Sequence, residues 1–263
     1  MHMFSNETRC RYRRNPLAEV ICQLRFPEIL SVEANAPVEF QEAIRAEFPR
    51  FGSVQETPAP KLTGTPGNFT VQNQPASVNY HFSSADDVWR VNLTSKFISL
   101  TCSRYDCWEE FAKKLDKPLA AFIKLYQPAY FERVGLRYLN FISRKDLELE
   151  DRPFRELIAP CWLGPLALDG ANEVGFSRNS VDAEFSLRGG CRAKVHAGLG
   201  NVKRSGKADP ELKFVLDMDL YMPGNVPVNL SAGALQTLHS QAYPLFRGAI
   251  TDTLHSAMDP EII

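Results

Sequence analysis

The chain lacks an apolar run long enough to span a bilayer, and its opening stretch, Met-His-Met-Phe-Ser-Asn-Glu-Thr-Arg, lacks the apolar core of a secretory signal. It has no excess charge of either sign: 30 Lys and Arg stand against 31 Asp and Glu, a formal net charge of −1 over 263 residues. That balance argues against a globally basic nucleic-acid binder, and 44% hydrophobic residues argue against disorder. Paired cysteines are missing too. Cys10, Cys22, Cys102, Cys107, Cys161 and Cys191 are scattered, and Cys102 and Cys107, the one close pair, have no second pair to complete a zinc site. The expectation is a soluble cytoplasmic protein with reduced thiols, no metal, no cofactor and no membrane association. Gly-x-Ser-x-Gly, phosphate-binding, dinucleotide and His-Glu-x-x-His motifs are all absent, so no motif decides whether the protein is an enzyme.

What is present is a periodic pattern. Ala18, Val20, Cys22, Leu24 and Phe26 alternate with Glu19, Gln23 and Arg25, which predicts a half-buried strand over 16–26. Pro37 suits the first turn of a helix carrying Phe40, Ile44 and Phe48 on one stripe. Residues 53–68 are rich in Pro, Thr and Gly and read as a surface loop. Strands are predicted at 69–73, 78–83, 88–94 and 97–102. A helix is predicted at 107–126, kinked or split by Pro118, followed by a strand at 130–142. Residues 143–173, with Pro153, Pro160 and Pro165, read as a connection. Strands at 180–187, 191–199 and 211–222 then precede a long helix at 231–258, capped by Ser231 and bent by Pro244. Runs of antiparallel strands followed by helices favour an α+β class. The expected architecture is antiparallel sheets each covered by long helices, in two similar meander-plus-helix halves: 1–145, a connection over 146–173, and 174–263, packed as one unit.

Asn15-Pro-Leu-x-Glu-Val20, Gln23-Leu-Arg-Phe26 and Val134-Gly-Leu-Arg-Tyr-x-Asn140, with Trp108-x-x-Phe111 and Leu238-His239, form a pattern spread over nearly the whole chain. It resembles a sporadically distributed family of uncharacterised prokaryotic proteins. The resemblance implies a free-standing protein with an accessory role, and it carries no catalytic residues.

Three groups of residues are candidates for chemistry. Arg133 and Arg137 sit in the otherwise apolar strand 130–142, with Tyr138 and Asn140 beside them, and a charge inside a strand needs a partner. Glu19 is the proposed partner of Arg137. The structural account is a Glu–Arg pair that fixes strand order; the functional account is a ligand-binding set, Arg133, Arg137, Tyr138, Asn140, Glu19 and Arg25, whose guanidinium forks suit a small anion. Second, residues 188–207 hold Arg188, Arg192, Lys194, His196, Lys203, Arg204 and Lys207 and no acid. A three-residue loop at Arg188–Gly190 sets Leu187 opposite Cys191, Phe185 opposite Ala193, Glu184 opposite Lys194 and Asp182 opposite His196. A charge ladder within the sheet is the plain account, with Asp217 and Asp219 answering the remaining charge. An anion or nucleic-acid surface on Arg192, Lys194, His196, Lys203, Arg204 and Lys207 is the functional one, and Arg9, Arg11, Arg13 and Arg14 would add a basic arm to it. Third, His81 and His196 would make an acid–base pair only if the two halves packed face to face.

The leading expectation is a non-enzymatic binding module for a protein partner or a small anionic ligand. The alternative is a nucleic-acid- or nucleotide-acting enzyme built on the basic 188–207 segment.

Overall fold

The computed structural model describes residues 3–57, 61–65, 68–72, 76–204 and 207–262, without the side chains of 61–65, 68–72, 202–204 and 207–208. In chain order the elements are β1 (Cys10–Tyr12), β2 (Leu17–Arg25), α1 (Leu30–Ala34), α2 (Val38–Ile44), β3 (Arg50–Glu56), β4 (Lys61–Thr65), β5 (Asn68–Gln72), β6 (Ser77–Ser83), β7 (Trp89–Leu93), β8 (Phe97–Cys102), α3 (Trp108–Tyr126) and β9 (Phe131–Ile142). After a connection containing α4 (Pro160–Leu163) come β10 (Ser180–Ser186), β11 (Arg192–Arg204), β12 (Lys207–Val226), α5 (Ser231–Ala249), α6 (Asp252–Ala257) and β13 (Pro260–Ile262). The class is α+β, and among the described residues no helix is long and apolar enough to cross a membrane.

The separate sheets expected from the sequence are joined into one. Nine strands run in the order β10-β11-β12-β9-β2-β8-β7-β6-β3, every neighbouring pair antiparallel. The joint between the two expected halves is β9 against β12, with Arg137 opposite Asp219 and Leu136 opposite Leu220. Period-two alternation fixes which face each residue takes. Val20, Cys22, Leu24, Val134, Leu136, Leu216 and Leu220 face the core and are sealed from solvent. Two helices of 19 residues each lie on that face. Phe122 of α3 meets Phe26 at 4.6 Å between ring centroids, and Phe111 meets Trp89 at 5.7 Å.

Pro118 does not split α3. It sits inside one continuous helix, where flanking buried Leu115 and Phe122 hold both halves onto the sheet despite the missing backbone donor. The last helix does break, but not at Pro244. It stops at Ile250, where Ile158 lies alongside in an antiparallel bridge: Ala159 N donates to Ala249 O at 2.9 Å, and Thr251 N donates to Leu157 O at 2.9 Å. Thr251 then caps α6 by accepting from Leu254 N. Ser231 is the first helical residue rather than the cap, its hydroxyl donating to Val228 O at 2.8 Å. The segment 53–68 is also more ordered than its composition implied, since β3 is an edge strand and β4 pairs with β5 in a hairpin. β3 escaped detection because it shows no alternation: every residue but Gly52 is exposed. Residues 58–60 and 66–67 of that stretch lie outside the described residues.

The arginine-rich N-terminus is tied down rather than extended as a free arm. β1 pairs with β13, Ser5 N donates to Pro244 O, and Arg11, Arg13 and Arg14 each face a carboxylate, those of Asp106, of Asp259 with Glu261, and of Glu148. The segment crosses α5 at Gly248, where a Cβ would lie 2.2 Å from Met3 O.

Two glycines separate the kinds of obstruction that a side chain would meet. At Gly135 a Cβ would lie 2.3 Å from the Nη1 of Arg133, the far end of a flexible side chain; at Gly198 it would lie 2.3 Å from the backbone oxygen of Asn179. Gly198→Ala should therefore destabilise by about 2 kcal/mol or more, and Gly135→Ala by about 1 kcal/mol, in urea unfolding. Equal losses would mean that Arg133 is as immovable as the backbone.

Candidate functional site

The arginine set divides between the two faces of β9. Arg133, Gly135, Arg137 and Leu139 point away from the helices; Val134, Leu136, Tyr138, Asn140 and Ile142 point toward them. On the open face Arg137 makes a two-pronged pair with Asp217, Nε to Oδ1 at 2.7 Å and Nη2 to Oδ2 at 2.5 Å. Arg133 folds back over Gly135 to reach both oxygens of Asp219 at 2.7 Å and lies 4.5 Å from the centre of the Tyr221 ring. Gly135 is thus explained by what lies on it. The proposed Glu19–Arg137 pair is not formed: Glu19 stands opposite Leu139, one place along, and the shared fork geometry favours Asp217 on the other flank. Arg25 stands opposite Arg133 on the same open, solvated face.

The same pairs correct the expected role of Asp217 and Asp219. Register sets them opposite His196 and Lys194, but their carboxylates turn to β9 instead. Glu184 and Asp182 remain for β11. His196 Nδ1 lies 2.8 Å from Asp182, and Arg192 lies 3.8 Å from Glu184. The register that the apolar pattern predicts for this hairpin is the observed one, including Leu187 N to Cys191 O at 2.8 Å, Phe185 opposite Ala193 and Glu184 opposite Lys194. Gly189 and Gly190 turn it with φ of 69° and 75°. The side chains of Lys203, Arg204 and Lys207 lie outside the described residues. His81 and His196 share the open face but do not converge, because β7, β8, β2, β9 and β12 lie between their strands. His81 Nδ1 instead lies 3.3 Å from Asn92 Oδ1.

The helix-covered face of the same strand is where polar groups meet an empty space. A cavity of about 100 Å³ lies between β9, β12, α5 and the N-terminal segment. Tyr138, Asn140 and Met218 form its sheet wall, His239, Ala242 and Phe246 its helix wall, and Arg9 to Tyr12 its outer rim, with Tyr105 at the side. Tyr138 and Asn140 therefore belong to a pocket, whereas Arg133, Arg137, Glu19 and Arg25 do not line it.

The electrostatics of this pocket follow from burial. The Tyr138 hydroxyl is pushed well above the usual tyrosine range by desolvation, with Tyr105 next in effect, so it keeps its proton. It lies 3.0 Å from His239 Nδ1. The Tyr105 hydroxyl is a second hydrogen-bond partner of the Tyr138 hydroxyl, so the three groups form one buried polar cluster. The imidazole is 7% exposed and stacks on Trp108 at 4.5 Å and 8°. Burial, followed by the charge of Arg9, lowers its pKa to about 4, so it is neutral at pH 7. Asn140, 1% exposed, donates to Leu216 O at 3.0 Å. Neither His239 Nε2 nor Asn140 Oδ1 has a hydrogen-bond partner among the described residues. At the rim, Arg11 is locked to Asp106. Arg9 is 38% exposed and has only Glu109 at 3.8 Å, beyond hydrogen-bond distance. Cys10 Sγ is held 3.3 Å from the Tyr243 hydroxyl, and Tyr12 O–H lies 2.9 Å from His255 Nδ1.

Sequence reasoning placed Tyr138 and Asn140 in the site but missed His239, Arg9 and Tyr105. The signal for His239 was a polar residue on the buried stripe of an otherwise apolar helix. Arg9 was marked only as part of a basic arm and Tyr105 not at all; both reach the cavity through the path of the chain. Asp106, Cys107 and Glu110 bring three potential ligand atoms within 4.8 Å of one another, but Asp106 is already engaged by Arg11.

Two outcomes follow from this geometry. In double-mutant cycles on stability, Arg137 and Asp217 should couple by about 0.5–1 kcal/mol, modest because the arginine is 44% exposed, while Arg137 and Glu19 should couple by about zero. The second concerns acid. The unfolded chain binds a proton at His239 below pH 6.5 and the folded chain only near pH 4, so stability is intact above 6.5 and falls as pH drops toward 4, by about 3 kcal/mol from this group. His255, also lowered by burial, works in the same direction. His239→Gln should flatten the slope of unfolding free energy between pH 6.5 and 4.5; an unchanged slope would mean the imidazole is not held neutral. No protein-family model matches the chain and no curated protein matches it, so the chemistry of this pocket has to be argued from the geometry alone.

Proposed function

We propose that the protein is a non-enzymatic binding module for a small anionic ligand, and that the cavity between β9 and α5 is its site. One observation carries the reading: three largely buried polar residues, Tyr138, His239 and Asn140, line an unfilled space whose rim holds Arg9, which meets the carboxylate of Glu109 only at 3.8 Å. The size restricts the ligand. A cavity of about 150 Å³ accepts benzene, so one of about 100 Å³ suits a body smaller than benzene. Tyr12, Met218, Ala242 and Phe246 give it largely apolar walls, which suits binding, and the Cys10 thiol in its wall is buried within 3.3 Å of the Tyr243 hydroxyl. A cytoplasmic setting belongs to the same reading, since all six cysteines are free thiols. So does the plan of two meander-plus-helix halves, which meet at β9 and β12, the strands that form the sheet wall of the site.

Ligand-detected NMR with a library of small carboxylates, sulfonates and phosphates tests this. Binding should be seen with the wild type and lost in Ala242→Leu, which fills the cavity from α5, with the fold of the variant checked by circular dichroism. Binding that survives in a folded Ala242→Leu protein, or no binding of any anion to the wild type, would overturn the site.

A further inference from the structure

The nine-stranded sheet has two free edges, and they are built differently. β10 ends one side and β3 the other. A free edge offers unpaired backbone donors and acceptors to any other strand, and folded proteins blunt it with charge, proline or a bulge. β10 is blunted by charge, with Asp182 and Glu184 on either side of its central residue. β3 is not blunted. From Phe51 to Gln55 it has no charge and no proline, and its ladder with β6 runs from Arg50 to Glu56 without a bulge. Every residue of it but Gly52 is exposed, and two of those are apolar: Phe51 is 53% exposed and Val54 52%. The Phe51 ring reaches Phe82 at 5.4 Å between centroids and still leaves half of its surface uncovered.

We infer that β3 is the contact through which two copies of this chain associate, edge to edge and antiparallel, about a two-fold axis at Ser53. The register carries the argument. A two-fold axis perpendicular to the sheet sets residues equally far from the centre opposite each other and keeps the helices of both copies on one side. Centred on Ser53, the whole strand pairs. Arg50 then lies opposite Glu56 of the second copy at both ends of the ladder, with Phe51 opposite Gln55 and Gly52 opposite Val54 between them. Opposite charges directly across a ladder stabilise it, and like charges weaken it. The same operation on β10, centred on Ala183, sets Asp182 opposite Glu184, so that edge repels its own copy. The charges of β3 have capacity for a second contact. Among the described residues Asp87 engages one nitrogen of Arg50, and Asn79 donates to one oxygen of Glu56 at 2.7 Å.

Sedimentation velocity on the full chain, over a concentration series, reads the association. The wild type should be dimeric at about 100 µM, since a single strand edge makes a small interface whose affinity falls in the micromolar range. Arg50→Glu and Glu56→Arg, each checked for folding by circular dichroism, should weaken association about tenfold, because each sets like charges at both ends of the ladder. The two substitutions together set unlike charges opposite each other again and should restore the dimer. Ser53→Cys supplies a second readout that does not depend on charge. Residues facing each other across an antiparallel ladder stand about 4.5–5.5 Å apart between Cα atoms, within disulfide reach, so oxidised glutathione should link two copies of Ser53→Cys. The wild type, with its own exposed Cys161, and Gln55→Cys, which lies off the axis, should not be linked under the same conditions. A monomer at every concentration would overturn the inference. So would a dimer that both charge reversals leave intact and that Ser53→Cys links no better than Gln55→Cys, since its interface would then lie elsewhere.

Discussion

The constraint on which the molecule turns is that β9 is an interior strand, flanked by β12 and β2, of a sheet with two unlike faces. Its outward residues have solvent on one side and must neutralise two arginines; its inward residues lie beneath a helix and must satisfy a tyrosine and an asparagine. Strand alternation makes these two problems independent, because Arg137 and Tyr138 are neighbours in sequence and strangers in space. The solutions differ in kind. On the open face the pairs are made by one neighbouring strand, β12, and water screens whatever is left over. On the covered face no water screening is available, so each polar atom needs a specific partner. Tyr138 finds one in His239, and Asn140 finds half of its own in Leu216.

This division explains why the arginines, which dominate the sequence pattern, do not make the site. An arginine on an exposed sheet face beside aspartates on the adjacent strand is already satisfied, and an incoming anion would have to displace a carboxylate held by two hydrogen bonds. Arg9 differs because it comes from a segment that merely crosses the cavity mouth. Its nearest carboxylate is on the first turn of α3 and does not come within bonding reach. The accessible cation is therefore supplied by the least regular part of the chain, and the regular strands keep their charges for architecture.

How much of this could be read beforehand follows from which forces are local. Alternation gave β2, β9 and the β10–β11 hairpin, down to Phe185 opposite Ala193, because each apolar residue on one face excludes the other register. The same logic missed β3, whose side chains are exposed on both faces, so that its strand form comes from pairing with β6 and leaves no trace in its own pattern. Proline does not set where the long helices end: α3 runs on through Pro118, held by packing on either side, and α5 ends where residues 157–159 bridge to Ile250, a contact made about ninety positions away in the chain. The choice of Glu19 for Arg137 failed for a related reason. Both flanking strands offer an acid on the open face, and only the side-chain reach across each register decides between them.

The covered face has a further consequence for how the site and the fold are linked. His239 contributes to stability only while neutral, and its neutrality comes from the same burial that sets it in the helix wall of the cavity. Trp108 lies flat against one side of the ring, so the imidazole is fixed in orientation by α3, by β9 through Tyr138, and by its own helix. A ring held from three elements is oriented by folding itself, so the polar wall of the cavity is a property of the packed core and not of a mobile side chain. The rim is fixed less tightly, since Arg9 is 38% exposed and meets Glu109 only at 3.8 Å.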